Sequence, residues 1–291
     1  MVTLDVFLTT PWLLYTVIVL FTLCIGSFLN VVILRLPRMM EQDWRCQCEE
    51  FLELPEKDRK PAQRITLASP NSTCPGCGHE IKPWENIPVL SYLFLRGKCS
   101  SCKTPISARY PIIEAVTALF SVLTVFLLGP SLDALWALVL VWGLIALTVI
   151  DFDTQLLPDS ITLPLLWLGL ILSYFGFLTD FHSAFWGAVA GYLSLWSVYW
   201  LFKLVTGKEG MGHGDFKLLA ALGAWLGWQL LPAVILLSSV VGAVVGVSLI
   251  VFKRHGREVP IPFGPYLAAA GLLCLWFGPE IQAAWYAYLG V

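Results

Sequence analysis

Eight apolar segments alternate with short polar connections along the chain, and only one polar stretch is long. Most of the segments reach the roughly 20 residues that a helix needs to cross the hydrocarbon core of a bilayer. Lipid requires backbone groups to be satisfied internally, so we predict an all-α polytopic membrane protein with about eight transmembrane helices. The segments cover roughly residues 10–34, 111–129, 131–150, 160–178, 183–205, 217–229, 230–252 and 264–289.

Composition supports this class. The 291 residues are 57% hydrophobic and 13% charged, whereas soluble domains carry about 25% charged residues. The first arginine, Arg35, follows the first apolar segment instead of preceding it. A cleaved secretory signal has the opposite polarity, so we predict a retained anchor with its N-terminus outside.

The basic residues orient the remaining segments. Twelve of the eighteen Lys and Arg residues lie between Arg35 and Arg109. If all eight segments cross the membrane, the other six are also cytosolic, as the positive-inside rule requires. They are Lys203, Lys208, Lys217, Lys253, Arg254 and Arg257. If the short segment 217–229 does not cross, Lys253 and Arg254 would face outward.

This pattern divides the chain into three predicted domains. Residues 1–35 form a first transmembrane anchor, residues 36–110 form a cytosolic loop, and residues 111–291 form a helical bundle. We expect the long loop to be the only sizeable polar region, and we expect the bundle to have short connections.

Four cysteines in the loop have the spacing of a metal site. They are Cys74, Cys77, Cys99 and Cys102, in a C-x2-C-x21-C-x2-C pattern with a repeat of 25 residues. Two such pairs can hold one tetrahedral Zn²⁺ with four thiolates, as in a zinc ribbon. A site closed by four protein ligands is expected to stabilise the loop. Cys46 and Cys48 are either an accessory metal site or incidental.

Two carboxylates are the main catalytic candidates. Asp151 ends one apolar segment and Asp215 precedes another, and the predicted topology places both at the cytosolic side. Two carboxylates that meet can share a proton and activate water. Gly212 and Gly214 beside Asp215 would let an extended peptide approach the backbone. Asp159, which follows a proline and opens an apolar segment, is predicted to cap a helix.

Other functions remain possible for the same residues. Each aspartate taken alone is equally consistent with an ordinary helix-terminal charge. An intramembrane proton relay or transporter also uses carboxylates, although usually near the membrane centre and within paired repeats. A zinc-ribbon adaptor without catalysis is a third alternative. The chain has no P-loop, G-x-S-x-G or H-E-x-x-H motif, so the sequence does not support nucleotide, serine or zinc hydrolase chemistry.

Taken together, these motifs resemble the bacterial type IV prepilin leader peptidase/N-methyltransferase family over nearly the whole chain. The second aspartate motif also resembles that of other GxGD intramembrane proteases. The matching stretches are Gly26–Val31 with Arg35–Pro37, Cys74–His79, Pro83–Pro88, Cys99–Cys102, Asp151 with Leu156–Asp159, Gly212–Lys217 and Pro262–Tyr266.

The resemblance implies two reactions at the bacterial inner membrane, with the active site facing the cytosol. A leader peptide is cleaved after a glycine, and the new N-terminal residue is methylated with S-adenosylmethionine. The implied catalytic residues are Asp151 and Asp215, and the four cysteines of the zinc site are associated with methylation. The implied partners are prepilins, type II secretion pseudopilins and the lipid bilayer, and no nucleic acid is expected. No residue is assigned to S-adenosylmethionine.

Overall fold

The computed structural model describes residues 10–53, 65–253 and 262–289 of the chain, and these residues are almost entirely helical. They form two compact units, residues 1–123 and 124–291. The described α-helices are α1 (Pro11–Phe51), α2 (Leu90–Phe94), α3 (Arg109–Leu128), α4 (Leu132–Thr154), α5 (Asp159–Tyr174), α6 (Phe181–Thr206), α7 (His213–Leu226), α8 (Leu231–Lys253) and α9 (Gly264–Leu289).

Six of the described helices are long and apolar enough to cross a membrane, so the prediction of about eight was too high. They are α1, α3, α4, α6, α8 and α9. The predicted segments 160–178 and 217–229 correspond to α5, with 16 residues, and α7, with 14 residues. At 1.5 Å per residue these helices span roughly 24 and 21 Å, which is less than the ~30 Å hydrocarbon core. The protein is therefore a multi-pass membrane protein with two shorter apolar helices.

In the first unit, α1 and α3 approach each other to backbone contact. A Cβ atom at Gly26 would lie 2.7 Å from Cα of Glu114, so only glycine fits at this crossing. One turn along α1, the side-chain amide of Asn30 donates to the carbonyl of Tyr110 over 3.1 Å. Glycine at a helix crossing and a side-chain amide that bonds the neighbouring backbone are both typical of membrane helix pairs.

In the second unit, α7 is the central helix. Every residue from Asp215 to Leu226 is buried except Lys217. The indole nitrogen of Trp225 donates to the carbonyl of Leu165 in α5 over 2.7 Å. Neighbouring helices thus shield this short helix from lipid, and they also satisfy its polar groups.

The closest helix packing in this unit joins α6 to α7. Gly187 and Gly191 are four residues apart on α6, the small-xxx-small spacing of tight membrane helix pairs. A Cβ at Gly191 would lie 2.6 Å from the carbonyl oxygen of Leu219, and one at Gly187 would collide with the carbonyl of Gly223. These glycines allow backbone contact between α6 and α7 in the turns of α7 that follow Asp215.

We expect Gly223→Ala to destabilise the protein, because its Cβ would collide with the Gly187 carbonyl. Inserting a methyl group into a packed core costs typically ~1–3 kcal/mol. Thermal unfolding in detergent should show a clear fall in Tm. Gly242→Ala in α8 is the matched control, because its Cβ would lie 3.3 Å from the nearest atom, Cδ2 of Tyr266. An equal fall in both variants would contradict the assignment of this contact.

Candidate active site and metal centre

Asp151 lies in the last turn of α4 and is buried, with 4% of its surface exposed. The helix ends just beyond it at Gln155, whose left-handed backbone lets its N–H donate to the Asp151 carbonyl over 2.8 Å. The Oδ2 atom of Asp151 accepts a hydrogen bond of 2.9 Å from the backbone N–H of Gly264, at the start of α9. The carboxylate is thus held by a residue 113 positions away in the chain.

Asp215 lies in the first turn of α7 and is 7% exposed. Its backbone N–H donates to the carbonyl of Gly212, the N-cap residue, over 3.3 Å. An acidic side chain at this end of a helix is favoured by the helix dipole. The Gly212-His213-Gly214 turn therefore places this carboxylate at the buried start of the central helix.

The structure places the two predicted aspartates near each other. Leu157 packs beside both carboxylate-bearing segments. A Cβ at Gly214, next to Asp215, would lie 2.7 Å from Cβ of Leu157, and a Cβ at Gly264, whose amide binds Asp151, would lie 3.1 Å from Cδ2 of Leu157. In aspartic proteases, two carboxylates that lie close together share a proton and activate water.

The role of Gly264 was not predicted from the sequence. Its motif, Pro262–Tyr266, was noted only as part of the family resemblance. Glycine is required there because any side chain would displace the Asp151 carboxylate. The only sequence signal was a glycine between two prolines at the start of an apolar segment, and this does not reveal its partner.

His213, within the turn before Asp215, packs against aromatic rings. Its ring centroid lies 5.1 Å from that of Tyr199 and 5.4 Å from that of Phe216. Tyr199 is itself buried and carries the ammonium group of Lys203 above its ring, 5.5 Å from the centroid. These contacts hold the turn against α6.

Asp159 does not cap α5, which corrects the prediction. The N-cap position is occupied by Pro158, and Asp159 is the first residue of the helix. Its carboxylate instead forms an ion pair with Lys217, with both oxygens 2.7 Å from Nζ. This pair joins the start of α5 to the start of α7, beside the aspartate site.

The four predicted cysteines also come together. Their Sγ atoms all lie within 4.8 Å of one another, and those of Cys74 and Cys102 are 3.7 Å apart. A tetrahedral Zn²⁺ with bonds of about 2.3 Å to sulfur places its ligands roughly 3.8 Å apart. The cluster therefore has the size and donor set to hold one such ion. Cys46 and Cys48 are exposed on α1 and belong to no such cluster among the described residues.

The cluster is built from two similar knuckles, as the 25-residue repeat predicted. The amide of Cys74 donates to the carbonyl of His79, and the amide of Cys99 donates to that of Thr104, each over 2.9 Å. Each knuckle closes with one isolated β-bridge, Thr73 to Glu80 and Lys98 to Pro105. The residues that follow the second cysteine of each pair, Gly78 and Lys103, both have positive φ.

Polar contacts join the knuckles and set their charge. Nε2 of His79 lies 3.1 Å from Oε2 of Glu85 and 3.3 Å from Oγ of Ser100. The Ser100 hydroxyl, the Lys82 backbone amide and His79 lower the pKa of Glu85 to about 2. The hydroxyl and amide of Thr104 lower the pKa of Cys102 to about 6. At Cys102 this favours the thiolate, which is the form that binds a metal. At Cys77 the His79 backbone amide lowers the pKa, but the hydrogen bond with Cys102 and burial outweigh it and raise the pKa to about 11.

Comparisons with known proteins agree with this geometry. Residues 20–128 match the Bacterial Peptidase A24 N-terminal domain, and residues 138–247 match the Type IV leader peptidase family. No solved structure matches the chain.

Several curated relatives are similar over almost their whole length. The prepilin leader peptidase/N-methyltransferase of Stutzerimonas stutzeri is 58% identical over 90% of both chains. That of Pseudomonas aeruginosa is 53% identical over 99% of this chain and 98% of the relative. That of Aeromonas hydrophila is 54% identical over 95% of this chain and 94% of the relative. These identities over most of the chain show that it belongs to the type IV leader peptidase family.

Proposed function

We propose that this protein cleaves the leader peptide of type IV prepilins and type II secretion pseudopilins after a glycine, and then methylates the new N-terminus. The observation that carries the proposal is the pair of buried carboxylates, Asp151 and Asp215, whose charges interact at the ends of α4 and α7. The names of the relatives support the same two activities.

For cleavage, the dyad would divide acid and base roles. The ionised carboxylate takes a proton from water, and the protonated one donates to the scissile carbonyl oxygen as the tetrahedral intermediate forms. Collapse of that intermediate breaks the peptide bond and protonates the leaving amine. The Gly264 amide would keep the Asp151 oxygen in position through both steps.

The predicted orientation fits such a substrate. A prepilin has an apolar helix in the bilayer and a basic leader in the cytosol, so its scissile bond lies at the cytosolic interface. The Lys and Arg residues between Arg35 and Arg109 favour the same side for the polar loop. We therefore place the active site at the cytosolic face of the bacterial inner membrane.

For methylation, we propose that residues 36–110 form the module that this second reaction requires. Cys74, Cys77, Cys99 and Cys102 would hold one Zn²⁺, which would stabilise the knuckles and has no open position for water. S-adenosylmethionine supplies the methyl group. When bound, it would transfer this group from its sulfonium sulfur to the N-terminal amine, which would lose a proton.

A mass spectrum of one purified prepilin tests both activities. After incubation with the protein, we expect the substrate to lose the mass of its leader at a glycine. With S-adenosylmethionine present, the mature product should gain the mass of one methylene group. An intact substrate under conditions where the protein remains folded would contradict the proposal.

A further inference from the structure

The first unit exposes a cluster of large apolar side chains close to the metal centre. We call Trp84, Ile87, Leu90, Leu93 and Phe94 the apolar ridge. Phe94 is 84% exposed and Leu93 is 64% exposed. Leu90, Leu93 and Phe94 share one face of α2, because helical residues three and four apart are neighbours. An exposed apolar cluster of this kind usually marks a binding surface.

A partly buried hydrogen bond fixes the position of the apolar ridge along the axis of α3. The backbone N–H of Val89, which precedes α2, donates to Oε2 of Glu114 over 2.8 Å. Glu114 is five residues inside α3, and α3 is one of the helices able to span the membrane. At 1.5 Å per residue it lies about 7.5 Å below the start of that helix. Helical side chains point back toward the N-terminus, so Val89 lies near the level of the first turns.

A second anchor fixes the module at the same boundary on α1. The Arg35 guanidinium donates to the carbonyls of Thr66, Leu67 and Pro70, over 3.0, 3.3 and 2.6 Å. Arg35 is the first basic residue after the apolar part of α1. The 25 residues from Pro11 to Arg35 span about 37 Å, slightly more than the hydrocarbon core. The module is therefore tied to both helices where their apolar parts end.

Exposed basic residues accompany the ridge. Lys82, Arg96, Lys98 and Lys103 are all exposed, and the ammonium group of Lys82 lies over the Trp84 ring, 5.3 Å from its centroid. Anionic headgroups attract such residues, and tryptophan with lysine is a common pair at the interface of a bilayer.

We propose that the apolar ridge inserts into the boundary between headgroups and acyl chains, so that the metal-binding module lies on the membrane surface. The lipid surface is the partner because both anchors hold the ridge at the ends of spanning helices and because exposed basic residues, Lys82 and Arg96, lie on either side of it in the chain. Interfacial segments with an apolar face and lysine or arginine neighbours enter the bilayer by ~5–10 Å. This inference does not depend on the cleavage activity.

The test uses the full-length chain in lipid nanodiscs that contain phosphatidylglycerol. A fluorescent amino acid is introduced by codon suppression at position 94, at position 93 in a second preparation, and at position 71 as the control. Asn71 is an exposed polar residue of the same module. Lipids brominated in their acyl chains should lower the emission at 93 and 94 by about two- to threefold relative to plain lipids, with little change at 71. The metal-to-protein ratio of each preparation verifies that the knuckles remain folded.

Two results would overturn the proposal. The first is equal emission in brominated and plain lipids at positions 93 and 94. The second is iodide quenching at position 94 that stays high until a prepilin is added, which would make the ridge a substrate-docking surface. Replacing phosphatidylglycerol by phosphatidylcholine should weaken the bromine quenching. Unchanged quenching would show that the basic residues do not contribute to membrane insertion.

Discussion

Replacing Asp151 or Asp215 by asparagine should abolish leader cleavage while the protein remains folded and inserted. Asparagine keeps the size of the side chain and, at position 151, an oxygen that can accept from the Gly264 amide. It cannot exchange a proton with water or with the scissile carbonyl. Loss of general acid–base catalysis alone lowers rates by roughly 10²–10⁴-fold, and loss of the activated water should lower them further.

Cleavage of one prepilin by each variant, followed by gel or mass spectrum, is the measurement. Asp159→Asn is the matched control, because it removes a carboxylate from the same region that is partly exposed and paired with Lys217. That variant should keep its activity and lose at most ~1 kcal/mol of stability. Near-normal cleavage by either Asp151→Asn or Asp215→Asn would show that the dyad is not the catalytic pair.

Replacing Cys74 and Cys77 together by serine should reduce methylation much more than cleavage. The double variant removes two of four adjacent ligands, so the metal should be released and the knuckles should lose their order. Methylation is expected to fall by at least ~10-fold. The aspartates belong to the other compact unit, so we expect cleavage to depend less on the metal.

Both activities should be measured on one preparation, together with its metal content. Cys46→Ser with Cys48→Ser is the control, because these thiols are exposed on α1 and lie outside the cluster. It should leave metal content and both activities unchanged. If cleavage and methylation of the Cys74 and Cys77 variant fail together while the bundle stays helical, the division of labour between the two units is wrong.

The sequence predicted the cysteine cluster better than it predicted the number and length of the membrane-spanning helices. Cysteine spacing is a local property, so the pattern from Cys74 to Cys102 was enough to predict a cluster that the structure confirms. The number of helices long enough to span the membrane was overestimated, because α5 and α7 are short and α7 is apolar for a different reason. It is buried among protein helices, and hydropathy does not distinguish that environment from lipid.

Contacts between segments that are distant in the chain also could not be predicted from the sequence. The glycines at 187 and 191 have a recognisable spacing, but their partner on α7 is set only by the packing of the bundle. In the same way, Asp159 was expected to cap its own helix, whereas the Lys217 side chain from another helix pairs with it. Local preference favoured the cap, and tertiary contact decided the outcome.

The hydrogen bond between Gly264 and Asp151 also has a consequence for the order in which the protein is made. Both aspartates are synthesised before α9, but the amide that fixes Asp151 belongs to the first residue of that last helix. A nascent chain inserted only through α8 would contain the dyad without this support. We therefore expect the side chain of Asp151 to reach its final position only after α9 has joined the bundle.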